Sequence, residues 1–219
     1  MRMVKMFNFM KKKQKIFCIS MQRNGTTSVG QFFQFFGYKV ADNSVSQKNQ
    51  WGYLHYLGDF EKIFNSGDFK NNSIFEDGPW FFPEFYKQLY FRFNNSKFIL
   101  FKRDPEKWFA SMLSHSNGKS LGRTYVHAKI YRRERELFDI WNNENMDKDM
   151  NGLDLKNLKE HYIDVYNRHN FEAEQFFKKH APNSLFICDL EDSSKWINLG
   201  RFCGISVPES FDVHVNKSK

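Results

Sequence analysis

Lys15 to Ser28, KIFCISMQRNGTTS, is the stretch that most narrows what this chain can become. Ile16, Phe17, Cys18 and Ile19 form an unbroken apolar run, the pattern of a strand covered on both faces in a parallel sheet. Beyond a polar turn, Val29, Phe32, Phe33 and Phe36 recur at i, i+3, i+4 and i+7, the stripe of a helix lying back on that sheet. The turn therefore joins a strand end to a helix start. There the first N–H groups of the helix lack intrahelical acceptors and the macrodipole adds partial positive charge, so an oxyanion is a natural ligand. Gly25 permits close backbone approach, Thr26, Thr27 and Ser28 carry hydroxyl donors, and Arg23 adds a fork of charged donors.

The segment Ser20 to Thr27 has the length of the nucleotide-binding pattern G-x-x-x-x-G-K-[ST]. It has Ser20 in place of the first glycine and Thr26 in place of the lysine, which counts against a magnesium-dependent nucleoside triphosphatase or kinase. The cation sits earlier, at Arg23, in the string RNGTTS. That string resembles the 5′-phosphosulfate loop of sulfotransferases, usually [KR]-x-G-T-[TS], whose donor is 3′-phosphoadenosine 5′-phosphosulfate (PAPS). A second stretch agrees with it. Lys97 to Phe101, KFILF, reads as a buried strand, and Asp104 and Pro105 then supply an N-cap and a first helical residue. In sulfotransferases a strand followed by R-[DN]-P, with a serine eight residues after the arginine, binds the 3′-phosphate of the donor. Arg103 and Ser111 match in identity and spacing.

The resemblance covers residues 15 to 216 in outline, including a tail with G-x-x-V-P from Gly204 that resembles the C-terminal segment of the bacterial-type branch. It implies an α/β fold, a central parallel β-sheet flanked by helices in the P-loop NTPase-like sulfotransferase architecture. It also implies sulfuryl transfer from PAPS to a hydroxyl or amine by in-line displacement, with PAP as product and no metal. On that reading Arg23 neutralises the 5′-phosphate and the departing oxygen, the backbone from Asn24 through Gly25, Thr26 and Thr27 to Ser28 holds the remaining oxygens, and Arg103 with Ser111 anchors the 3′-phosphate. A base must take the acceptor's proton. Cytosolic sulfotransferases place a histidine two residues before a proline; here Asp77 stands two residues before Pro79, with Glu76 as the runner-up. Arginine does not shuttle protons, so the role left to Arg23 is electrostatic.

Between these motifs the pattern is looser. Tyr38 to Val40 and Ser73 to Phe75 read as short strands, and Ala41 onward as a polar loop followed by short helices at Trp51 to Leu57 and Asp59 to Phe64. Trp51, Tyr53 and Tyr56 read as packed aromatics, with stacking on an adenine or acceptor ring as the alternative. Glu84 to Phe93, Val126 to Trp141, Leu155 to Lys179 and Ser193 to Cys203 carry helical periodicity, and Ser184 to Cys188 reads as a further strand. YRRERE, within Val126 to Trp141, is expected to face solvent, and His169 to be a packed core histidine. The loop Ser114 to Thr124 carries Lys119 and Arg123, read as solvated charges.

No linker divides the chain, so residues 15–219 are expected to form one domain behind a basic lead-in, residues 1–14. The formal charge of +8 suits an anionic ligand, and its diffuse spread offers no nucleic-acid motif. Cys18, Cys188 and Cys203 lack ligand-like spacing and read as reduced thiols of a cytoplasmic protein. No apolar run approaches membrane-spanning length. The expected partner is a small-molecule or carbohydrate acceptor.

Overall fold

The computed structural model describes residues 14–143 and 152–213. The basic lead-in therefore lies outside the described residues except for Gln14, as does the end of the tail from residue 214. Five strands, β1 (Ile16–Cys18), β2 (Val40–Ala41), β3 (Ile74–Phe75), β4 (Lys97–Lys102) and β5 (Leu185–Asp189), form one parallel sheet in the order β2-β3-β1-β4-β5. Helices α1 (Thr26–Phe35), α2 (Asn43–Lys48), α3 (Trp51–Leu57), α4 (Phe60–Asn65), α5 (Gly67–Asn71), α6 (Phe85–Arg92), α7 (Pro105–His115), α8 (Thr124–Ile130), α9 (Glu134–Asn143), α10 (Lys159–His180) and α11 (Lys195–Cys203) fill the connections. This is the α/β architecture expected, a central parallel sheet flanked by helices.

The apolar runs are unbroken because both sheet faces are covered. Ile16, Cys18, Ile74, Ile99 and Phe101 pack on one side with Val29, Phe32 and Phe33 of α1 and Trp196 and Leu199 of α11. Phe17, Phe75, Phe98 and Leu100 meet a larger aromatic layer on the other, built from Trp51, Phe69, Trp80, Tyr86 and Phe177 among others. Full burial of a large apolar side chain stabilises by about 1.5–3 kcal/mol, so these two layers hold the strands in register.

The strand order also decides where a ligand can sit. From β1 the chain runs through α1 to the edge strand β2, whereas from β4 it runs through α7 and α10 to the opposite edge, β5. The loops after β1 and β4 diverge between neighbouring strands, which opens a crevice at their carboxyl ends, the usual ligand position in an open parallel sheet.

Three readings change. Asn43–Lys48, read as loop, is helix α2, capped by the Asp42 side chain, which accepts the N–H of Val45. The helix expected over Val126 to Trp141 is two helices, broken at Tyr131 to Arg133, where Arg132 takes φ 56. The break turns Arg133 inward: Arg133 is buried, paired with Glu136 and donating to Tyr162 Oη at 2.7 Å, and Tyr131 is fully buried, so YRRERE is only partly a solvent face. The long helix starts at Lys159, because Leu155 instead joins the Gly118 loop through its N–H. His169 is the packed histidine expected, its Nε2 2.8 Å from the Ile19 carbonyl.

Candidate active site

Ser20, standing where the nucleotide-binding pattern has glycine, stitches the ends of β1 and β4 together: its buried Oγ accepts the Phe101 N–H at 2.7 Å. The turn that follows places Arg23 at φ 69 and Gly25 at φ 74, on either side of the fully buried Asn24. At Gly25 a Cβ would come within 2.6 Å of Leu190 Cδ1, so glycine answers both the left-handed backbone and the lack of room. Asn24 acts as internal scaffolding. Its Nδ2 donates to Met21 O at 3.0 Å, its Oδ1 lies 3.1 Å from the Tyr166 hydroxyl, and its backbone N–H is engaged with Met21 O at 3.3 Å. The backbone N–H of Asn24 is thus engaged within the turn itself. Helix α1 has no side-chain cap and no acidic residue of its own in its first turn.

Tyr166 of α10 clamps this loop to the one after β4. Its hydroxyl accepts the Arg103 N–H at 3.0 Å and lies 3.2 Å from the Arg103 carbonyl, while its ring stacks on Trp108 with centroids 4.3 Å apart. Trp108 in turn donates to the Gln22 carbonyl at 2.9 Å. The clamp brings the two arginines together. Arg103 Nη1 lies 3.5 Å from the Arg23 carbonyl, and Arg23 Nε donates to Ser111 Oγ at 3.2 Å. Burial and the neighbouring Arg103 charge push the Arg23 pKa down. Arg103 reaches Glu191 only at 4.0 Å, and that carboxylate is held by Lys107 at 2.8 Å. Arg103 Nε is buried with no partner. Two neighbouring guanidinium groups, a serine hydroxyl and a buried N–H without a partner thus gather positive charge and donors at one place, an arrangement suited to an anion. Arg23 is thus contiguous with both Arg103 and Ser111.

β3 ends on the two carboxylates, and the fold separates them. Glu76 turns under α1: its carboxyl accepts from the Thr26 hydroxyl, its side chain lies where a Cβ on Gly30 would touch it, and Oε2 is buried without a partner. Burial first, then the Asp77 and Asp42 charges, push the Glu76 pKa up to about 8. Asp77, at φ 67, faces a cleft of about 410 Å³ that Arg23, Thr26 and Thr27 also line. Its Oδ1 accepts the Gly78 N–H at 2.9 Å, and burial raises its pKa. Asp77 thus lines the cleft, whereas Glu76 lies under α1 and does not. Ser28 is buried rather than turned to the surface, and Thr27 is exposed.

Several contributors escaped the sequence reading. Tyr166 reads there only as one position in a helical stripe. His115, in the last turn of α7, lines the cleft; burial and the Arg23 charge lower its pKa. The far wall carries Asn43, Gln47 and Gln50, and Tyr53, whereas Trp51 is wholly buried in the core. Arg123 lines the cleft over the Tyr53 ring, 5.8 Å from its centroid, and Lys119 pairs with Asp154 at 3.5 Å. Among the described residues, no group of three or more His, Cys, Asp and Glu side chains is arranged as metal ligands, and no helix is long and apolar enough to cross a membrane.

Compared with known proteins, residues 15–219 match the sequence family described as "Sulfotransferase domain". None of the curated proteins matches the chain.

Proposed function

The chain belongs to the sulfotransferase domain family, and with sulfuryl transfer as its broad activity we propose that it takes the sulfuryl group from PAPS and passes it to a hydroxyl or amine held in the Asp77 cleft. The observation that carries this reading is the convergence of Arg23, Arg103 and Ser111 from the loops after β1 and β4, with Arg103 Nε left buried and unpartnered. A nucleotide carrying phosphate at both 3′ and 5′ positions supplies the anionic charge that such a cluster lacks.

In this mechanism Arg103 and Ser111 hold the 3′-phosphate. The first-turn amides of α1, from Gly25, face the 5′ end, and Arg23, which lines the cleft as well as touching Ser111, balances charge gathering on the 5′-phosphate oxygen as its bond to sulfur breaks. Asp77 accepts the proton of the acceptor as its oxygen or nitrogen bonds to sulfur. The protein's task is alignment and electrostatics, as in phosphoryl transfer. Free Cys18, Cys188 and Cys203 suit a reducing, cytoplasmic setting, and the family match supports residues 15–219 working as one domain.

Calorimetric titration with adenosine 3′,5′-bisphosphate tests the donor assignment. Binding is expected, and Arg103→Ala should weaken it roughly 10- to 100-fold, the loss of charge-assisted hydrogen bonds worth about 1.5–3 kcal/mol. Absence of binding, or binding indifferent to that substitution, would overturn it.

A further inference from the structure

The loop after β5 reaches both of the loops that carry Arg23 and Arg103. Leu190 stands beside Gly25, where a Cβ would come within 2.6 Å of its Cδ1, and the Leu190 N–H donates to the Lys102 carbonyl at 2.6 Å. The next residue, Glu191, points its carboxylate at two cations. Oε2 accepts from Lys107 Nζ, in the first turn of α7, at 2.8 Å, and Oε1 lies 4.0 Å from Arg103 Nη2. The hydrogen bond from Lys107, with the Lys107 and Arg103 charges behind it, lowers the Glu191 pKa. Neighbouring acids are committed elsewhere. Asp104 accepts the Lys107 N–H at 2.9 Å as the cap of α7, Asp189 accepts the Glu191 N–H at 2.7 Å, and Asp192 accepts the N–H and the hydroxyl of Ser194, both at 2.7 Å.

Glu191 is therefore the acid that faces the arginine assigned above to the 3′-phosphate, and its hold there is weak. Its contact with Arg103 is longer than a hydrogen bond, while Arg103 Nε stays buried without a partner. Its pair with Lys107 joins side chains that are 51% and 56% exposed, a setting in which ion pairs contribute little. The turn closed by Asp189 fixes the Glu191 backbone, so the side chain alone has to swing for the pair to part. A phosphate offers the same donors more charge and shorter hydrogen bonds, and it repels a carboxylate beside it. We propose that Glu191 is a built-in counterion of the 3′-phosphate anchor: the nucleotide's 3′-phosphate displaces it, takes Arg103 and receives Lys107 as a further ligand. Competition between carboxylate and phosphate lowers affinity for nucleotides that carry a 3′-phosphate and for no others, so Glu191 limits how tightly the spent bisphosphate is retained. The proposal rests on the assignment of Arg103 and Ser111 to that phosphate.

The test is calorimetry on the full chain with adenosine 3′,5′-bisphosphate and with adenosine 5′-phosphate. Glu191→Gln, which keeps the shape of the side chain, should bind the bisphosphate about fivefold more tightly than wild type and the monophosphate equally. Adding Lys107→Gln to Glu191→Gln should remove most of that gain. Glu61→Gln breaks a 2.7 Å pair with Arg92 and changes the net charge by the same amount, and it should alter neither affinity. A bisphosphate affinity unchanged or weakened by Glu191→Gln, an equal gain for both nucleotides, an equal gain in Glu61→Gln, or a gain that Lys107→Gln leaves intact overturns the proposal. If the bisphosphate binds neither wild type nor Glu191→Gln, the donor assignment falls. Titration with inorganic phosphate then decides the counterion role alone: tighter binding to Glu191→Gln than to wild type upholds it, and equal binding overturns it.

Discussion

The loops after β1 and β4 face helices α2, α3 and α8 across the same cleft, yet the two walls reach it by different routes. On one side the residues come from the loops that follow two strands, with Ser111 further along in α7. Arg23 and Gly25 follow β1, Arg103 follows β4, and the buried contacts of Ser20, Asn24 and Tyr166 fix one loop against the other. On the other side, Gln47, Tyr53 and Arg123 come from separate short helices and a glycine-containing loop, and their side chains are exposed. In the first wall Ser20, Asn24 and Tyr166 are buried and hydrogen-bonded between the two loops, which holds the loops together; in the second the side chains that line the cleft are mostly exposed.

Asp77→Asn should separate the walls most sharply. Losing the base is expected to lower turnover by about 10²- to 10⁴-fold while bisphosphate binding in calorimetry is unchanged. In the wild-type chain, turnover should rise with pH through an inflection above the usual carboxylate range, because burial raises the Asp77 pKa, and Asp77→Asn should flatten that limb. Turnover retained in Asp77→Asn would move proton removal to another group, and His115 is the next titratable side chain in the cleft.

Gly25→Ala probes the first wall alone. With φ at 74 and Leu190 Cδ1 2.6 Å from the new Cβ, the substitution should weaken bisphosphate binding roughly tenfold or more, from about 1–3 kcal/mol of backbone strain. An unchanged affinity would mean that the loop adapts freely, contrary to the buried contacts that hold the two loops together.

Glu76→Gln is the smallest expected effect and concerns stability. The folded chain holds the Glu76 proton up to about pH 8, against an ordinary value of 4.5. Between those values the folded state binds more protons than the unfolded one, so the Glu76 contribution to stability is full below about pH 4.5 and declines as pH rises towards 8. Glu76→Gln removes that decline, raising stability by roughly 1–3 kcal/mol above pH 8 and changing little at pH 4. Melting temperatures at the two pH values check it; a gain that is the same at both would place the cause in packing.

The same contrast explains what was legible in the sequence. β1, β4 and their following helices announce themselves because burial on both faces demands unbroken apolar runs, and Asp104 and Pro105 mark a helix start locally. Helix α2 carried no apolar stripe, so nothing but its Asp42 cap could signal it. The break at Arg132 was hidden because it follows from a tertiary demand, the pairing of Arg133 with Tyr162 far along the chain. Tyr166 was visible as a core position, but its hydroxyl matters through groups from two distant loops. The separation of Glu76 from Asp77 likewise depends on which side of β3 each falls, which residue type does not reveal.

In the reading we propose, the loops after β1 and β4 form one donor site. A double-mutant cycle with Arg23→Gln and Arg103→Gln, read by calorimetric affinity for adenosine 3′,5′-bisphosphate, tests it directly. One site predicts that the two losses fail to add, with a coupling of about 0.5–3 kcal/mol. Additive losses, or a bisphosphate affinity that neither substitution changes, would contradict it.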